Sequence, residues 1–200
     1  MLLHDKLKDY RLILASQSPR RRQLLADAGI EFLLAPRFEC DESFPSTMPA
    51  DEVAEYLSGL KADAYPDGLG DNDILLTADT VVIADGKVLG KPKDRAEAVA
   101  MLEQLSGREH QVVTGVSLSN ALGRRSFSVL SRVKFRVLTI EEIEYYVDNY
   151  RPFDKAGSYG IQEWIGYVGI DGIEGSFYNV MGLPVQRVYC ELKEFVGLVE

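Results

Sequence analysis

Along the chain, short unbroken apolar runs alternate with stretches in which apolar residues recur every three or four positions. The runs read as buried strands, and the recurring pattern reads as helices packed by one face. Residues 11–15 (RLILA) predict a first strand. Ser18 then stands at an N-cap position and Pro19 at the first helical position, so a helix follows and ends at Gly29. In 50–64, Val53, Ala54, Tyr56, Leu57 and Leu60 keep helical spacing. Residues 74–82 are a continuous β-branched and Leu-rich run, as a central strand is. The run continues to Ala84, turns at Asp85-Gly86 and returns through 87–89, a hairpin signal. Asp94-x-x-Glu97 reads as a capping box for a helix to about Leu105, stopped near Gly107. Residues 111–119 and 126–137 alternate, which predicts two strands joined around Gly123. Thr139-x-x-Glu142 caps a further helix with Ile140, Ile143, Tyr146 and Val147 inside. Residues 157–180 predict short strands with tight turns, and Pro184 opens a last helix. Hairpins and crossovers both occur, so the expected class is α/β with a mixed sheet.

Residues 34–50 and 65–73 are rich in Pro, Gly and Asp. They read as loops bounding a helix, not as a linker. The 200 residues therefore predict one domain, or two lobes sharing one core.

Charge narrows the function. The net charge is −9 and the pI about 4.8. Affinity for a nucleic-acid backbone or an anionic membrane is built from excess Lys and Arg, so neither partner is expected. No run approaches the roughly 20 apolar residues of a spanning helix. The first residues, MLLHDKLKDYR, are charged and have no apolar core of a signal peptide, so a cytoplasmic protein is expected. Cys40 and Cys190 read as two free thiols in a reducing compartment. Together with His4 and His110 they cannot make a zinc site of the usual spacings, so any metal must be a hard cation held by carboxylates. Residues 38–73 hold ten acids and one base, Lys61. Most of that segment reads as a solvated acidic face, in which Lys61 stands out.

Five segments carry candidate chemistry. In Ser16-Gln17-Ser18-Pro19-Arg20-Arg21-Arg22 a strand end meets a helix start with three cations in its first turn. Cations there oppose the helix dipole, and an external anion such as phosphate would remove the conflict. Asp79, in LTADTV, is a carboxylate inside an apolar strand, which implies a metal, a cation partner or a role as base. Lys91, in LGKP, can aim a cation at a phosphate from a strand end. Residues 153–162 (FDKAGSYGIQ) combine small residues that allow close backbone approach with Gln162, which can read a base edge. Residues 174–184 (EGSFYNVMGLP) form a turn-rich approach to a helix. His110 reads as a packed histidine and Trp164 as a core or rim residue.

The motifs SQSPRR, TADT, GKP, VVTGV, DKAGSYGIQ and EGSFYNVMGLP, in this order from about Leu12 to Leu183, resemble those of the Maf family of nucleotide pyrophosphatases. The resemblance implies two lobes around an elongated mixed sheet flanked by helices, similar to the inosine-triphosphate pyrophosphatases, with the nucleotide in a central cleft. It implies hydrolysis of a nucleoside triphosphate to monophosphate and pyrophosphate with a divalent cation, of which Mg²⁺ is the expected one. DKAGSYGIQ is similar to the branch acting on dTTP and UTP. The methylguanosine-type branch has Lys-x-Glu where this chain has Gly-Ile-Gln.

By position, Asp79 matches the family's proton acceptor. Arg20, Thr80 and Gln162 match positions tied to substrate selection. Lys61 and Lys91 match its two lysines, and Glu42 an acidic position. Ser16 and Arg21 complete the expected phosphate contacts, and Glu42 and Asp79 are the candidate metal ligands. Whether Asp79 is base or ligand stays open in the sequence. A role in removing modified nucleotides and a homodimer are both compatible with this reading. The family is also linked by name to inhibition of septum formation, so the rival is a non-catalytic nucleotide-binding regulator of cell division. One departure stands out: residues 163–173 (EWIGYVGIDGI) are bulkier than the family pattern after GIQ. Residues 1–10 are an extension without an assigned role.

Overall fold

The computed structural model describes residues 1–198. A short helix α1 (Leu3–Lys6) and a 3₁₀ turn (Leu7–Asp9) lead into β1 (Arg11–Leu14), α2 (Pro19–Asp27) and β2 (Leu33–Leu34). Then come α3 (Val53–Asp63), β3 (Asp73–Ala84), β4 (Lys87–Leu89), α4 (Arg95–Leu105), β5 (Glu109–Asn120) and β6 (Gly123–Phe135). The chain continues with α5 (Ile140–Tyr150), a 3₁₀ turn (Ala156–Ser158), α6 (Trp164–Gly169), β7 (Ile170–Glu174), α7 (Phe177–Met181) and α8 (Val185–Phe195).

The strands form one seven-stranded sheet in the order β2-β1-β3-β5-β6-β7, with β4 paired to β3 off that path. β1 is parallel to β2 and to β3, with Ile13 opposite Leu33 and Leu75. β4 and β7 are antiparallel to their neighbours, with Val82 opposite Leu89 and Val133 opposite Ile173. The sheet is therefore mixed, and helices flank it. β3 is buried along nearly its whole length, as its β-branched and Leu-rich run predicts for a central strand, with Thr77 and Asp79 buried among the apolar residues.

The chain divides into two compact units. The first comprises residues 1–79, 114–129 and 182 onward, and the second comprises 80–113 and 130–181. In the first, Ile13, Ala15, Ala35, Ala62 and Leu75 form a buried cluster. The N-terminal extension belongs to it: α1 packs against α8, and Leu3 and Leu7 are buried. In the second, Val82, Leu102, Leu105, Phe135, Ile143 and Tyr146 lie at the centre of a larger apolar core.

Local signals account for most element ends. Pro19 opens α2 from the Ser18 cap position, although the Ser18 side chain makes no capping bond. Thr139 and Glu142 form the reciprocal capping box of α5. The Asp94 box is only half made: Asp94 accepts from the Glu97 N–H, while Glu97 accepts from Lys93 instead of Asp94. Residues 157–180 depart from expectation. They hold one strand, β7, among short helices, because the β-branched and aromatic residues of α6 bury Ile165 in the core of the second unit.

Candidate active site

Strand alternation puts Thr77 and Asp79 on one face of β3, two residues apart. α3 lies over that face and meets both. Thr77 Oγ1 donates to the Ser58 carbonyl at 2.7 Å. One turn further along α3, the Lys61 ammonium donates to Asp79 Oδ1. The Ser58 hydroxyl is shared with Ser117 of β5 at 2.8 Å, which ties the helix to a second strand. The approach depends on Gly115 in VVTGV: a Cβ there would lie 2.2 Å from the Ala54 carbonyl carbon and oxygen and from the Glu55 nitrogen. Only a residue without a side chain lets the backbone of α3 come this close.

Asp79 is 9% exposed and would be costly to bury alone. Its partner is Lys61. Glu42 reaches the same ammonium from the acidic loop, with Oε1 3.3 Å from Lys61 Nζ. The single base of the 38–73 segment thus holds two carboxylates. Both are oxygen donors, which suits a hard cation that completes its shell with water and phosphate oxygens. Among the described residues no group of three or more His, Cys, Asp or Glu side chains could hold a metal by itself.

At the start of α2, where an anion is expected beside three arginines, the three side chains are buried to different degrees. Arg20 is half-buried. Arg21 is buried, and its guanidinium is turned inward onto backbone. Nε donates to the Gly182 carbonyl at 2.7 Å, and Nη1 to the Ala78 carbonyl at 2.9 Å and to Ser16 Oγ at 3.2 Å. Burial pushes the Arg21 guanidinium below its ordinary pKa, and the nearby Asp79 charge opposes that shift. Arg21 therefore fixes the β3 backbone at the residue before Asp79. Ser16, expected as a phosphate contact, accepts from both Arg21 and the Ser18 N–H.

The remaining predicted residues belong to the second unit, apart from those just described. Thr80 is half-buried in β3, and Lys91 is exposed after β4. The loop of Lys91 is tied to the DKAGSYGIQ segment by a bond from Gly157 N–H to the Gly90 carbonyl at 3.1 Å. Gly157 has φ +66, and a Cβ there would lie 2.9 Å from the Val82 methyl groups, so this contact also requires glycine. Gln162 sits in a turn closed by Glu163 N–H donating to the Gly160 carbonyl at 3.0 Å. Its side-chain oxygen is buried without a hydrogen-bond partner.

Three polar residues around that turn escaped the sequence reading. Tyr146, expected only as an apolar contact of α5, donates its hydroxyl to Glu163 and accepts from Gly160 N–H at 3.0 Å. Lys155 is 8% exposed and lies 3.2 Å from Glu163 Oε1. The only signal available was the bulk of residues 163–173, which does not single out Glu163. His110 is packed as expected, 2% exposed, with Nε2 2.7 Å from the Tyr159 hydroxyl.

Comparison with known proteins agrees with the motifs. A dTTP/UTP pyrophosphatase of Bacteroides thetaiotaomicron is 52% identical over 94% of this chain and 97% of its own length. A dTTP/UTP pyrophosphatase of Porphyromonas gingivalis is 54% identical over 96% of this chain and 97% of its own. Among solved structures, a HAM1 protein of Coxiella burnetii is similar at TM-score 0.47 and 16% identity, covering 92% of this chain and 99% of that one. The profile described as Maf-like protein matches residues 11–195, and the chain belongs to the Maf family.

Proposed function

We propose that this chain is a nucleoside triphosphate pyrophosphatase that hydrolyses dTTP and UTP to the monophosphate and pyrophosphate. The observation that carries the reading is the meeting of Lys61 with Asp79 and Glu42, in a chain about half identical, nearly end to end, to proteins that bear that name.

The chemistry is attack of water on the α-phosphorus. A bond forms from the water oxygen to phosphorus, and the bond from phosphorus to the α,β-bridging oxygen breaks. Pyrophosphate leaves with the electron pair of that bond. Asp79 is assigned to orient the water and take its proton. Arg21 holds the backbone at Ala78, so the carboxylate is presented from a fixed strand. Lys61 restrains the Asp79 side chain and brings positive charge to a strongly acidic segment. A divalent cation, proposed as Mg²⁺ and held by Glu42 and Asp79, would neutralise phosphate charge and polarise the water when bound. Ser16 and Arg20 near the start of α2, together with Lys91, are assigned to phosphate oxygens. Thr80 and Gln162 keep the substrate-selecting roles that the family motifs imply. A buried acceptor without a donor, as at Gln162, supports a role in meeting an N–H of a pyrimidine base. Cys40 and Cys190 are both free thiols, which supports a reducing compartment such as the cytoplasm.

A panel of dTTP, UTP, CTP and GTP, assayed for pyrophosphate with Mg²⁺ and with EDTA, tests the proposal. The expected result is release from dTTP and UTP that needs the cation. Nucleotide binding without release from any of the four would instead support a regulatory binding protein.

A further inference from the structure

A closed polar network surrounds the turn from Gly160 to Glu163. Residues Gly160 to Glu163 form the turn that carries Gln162. Its ends are joined by the Glu163 N–H to Gly160 carbonyl bond at 3.0 Å. The wholly buried Tyr146 reaches the same two residues from α5. Its hydroxyl accepts the Gly160 N–H at 3.0 Å and donates to the Glu163 carboxylate. The other Glu163 oxygen lies 3.2 Å from Lys155 Nζ, which also donates to Asp154 at 2.7 Å. Both anchors are themselves fixed: Tyr146 stacks on Tyr150 at 5.1 Å between ring centroids, and Lys155 lies in the loop bonded to Gly90 through Gly157.

We infer that the Tyr146 hydroxyl is a positioning group for Gln162, pinning both ends of the turn that carries it, with Glu163 and Lys155 completing the clamp. The inference rests on the proposed role of Gln162 in base selection. A buried ammonium paired with a half-buried carboxylate is expensive where packing alone is needed, since apolar residues of similar volume serve as well or better. A hydroxyl has one proton to donate and lone pairs to accept, so a single phenol can join the two ends of a turn. Burial raises the Tyr146 phenol above its ordinary pKa, which keeps that proton in place. The side-chain amide between those ends is thereby presented in one orientation, as discrimination between bases with different hydrogen-bonding edges requires.

The test compares dissociation constants for UMP and CMP, measured by titration calorimetry. It uses the wild-type chain, Tyr146→Phe, Gln162→Ala, the double variant and Glu163→Gln. Amide hydrogen exchange at Gly160 reports the turn directly. In Tyr146→Phe the UMP preference is expected to narrow about tenfold, the scale of one lost buried hydrogen bond. Gly160 exchange should quicken, and adding the substitution to Gln162→Ala should change the preference no further. Glu163→Gln should narrow the preference in the same direction. The inference is overturned if Tyr146→Phe keeps the wild-type preference, if the double variant loses more than Gln162→Ala, or if the wild-type chain binds UMP and CMP alike. Pyrophosphate release from UTP on the same samples is a separate readout. A wild-type chain that prefers UMP but releases no pyrophosphate would remove the proposed activity, and the preference in Tyr146→Phe would still decide the role of Tyr146.

Discussion

A Cβ placed on Gly115 would lie 2.2 Å from the Ala54 carbonyl oxygen, so β5 and α3 approach as closely as two backbones can. The contact is between main-chain atoms, which cannot rotate away. Gly115→Ala must therefore lift the start of α3 from the sheet, and Lys61 is carried on the same helix. The expected cost is about 1–3 kcal/mol of stability, as for other overpacked sites. Turnover should fall as well, because the Lys61 to Asp79 bond depends on the seat of the helix. Urea denaturation and pyrophosphate release measured on the same preparation check both. A variant with wild-type stability would mean that α3 does not sit where this contact puts it.

Asp79→Asn should keep the fold and lose turnover. The amide fits the same space and can still accept from Lys61, whose ammonium retains Glu42 as a partner. What is lost is a carboxylate able to take a proton, a contribution of roughly 10²–10⁴ in rate. Steady-state release of pyrophosphate from UTP with Mg²⁺ is the measurement. Wild-type turnover would remove Asp79 from the chemistry.

Arg21→Lys preserves the formal charge yet should fail at the site. The guanidinium serves the Gly182 and Ala78 carbonyls and Ser16 at once, and its planar fork suits that spacing. A lysine ammonium on a longer flexible stem cannot hold all three, and burial disfavours its charge. Leaving one such buried carbonyl without a donor costs about 1–3 kcal/mol. The midpoint of denaturation should fall, and kcat should fall more than substrate affinity, because the β3 backbone beside Asp79 loses its tether. An increase in KM alone would instead make Arg21 a phosphate contact.

These contacts show what could be read before the fold was known. Pro19, the Asp85-Gly86 turn, the Thr139–Glu142 box and the Gly29 stop act within a few residues, so their consequences are local and legible. The Asp79 strand was legible because a carboxylate in an apolar run must find a partner, and the acidic segment offered one cation, Lys61. The inward turn of Arg21 was not. Its bond to Gly182 joins residues 161 positions apart, and an arginine in the first turn of a helix reads equally as solvated or ligand-binding. Gly115 likewise looked like any glycine in a strand until α3 was placed against it. At 164–169, β-branched and aromatic residues favoured a strand, and packing of Ile165 in the core of the second unit prevailed over that preference.

His110 gives the chain a pH dependence of stability with a defined sign. Its ring is 2% exposed, packed edge-on against Phe135 and Tyr159, with Nε2 2.7 Å from the Tyr159 hydroxyl. Burial pulls its pKa from 6.5 down to about 4. The folded chain therefore resists protonation, while the unfolded chain takes up a proton below pH 6.5. The contribution is fully present above pH 6.5, is lost progressively as the pH falls toward 4, and changes no further below that. Linkage puts the loss at about 3 kcal/mol at most. Carboxylates held low by partners, such as Asp73 beside Arg11 and Glu142 beside Arg136, begin to lose their contributions only at the acidic end of that window, as the pH falls to their ordinary values of 3.8 and 4.5. Unfolding free energies from denaturant titrations at pH 7.5, 6.5, 5.5 and 4.5 should decline across this window in the wild-type chain. His110→Gln retains a polar partner for Tyr159 and cannot titrate there, so its profile should be flatter over the same range. Parallel profiles for the two chains would assign the acid sensitivity to other groups.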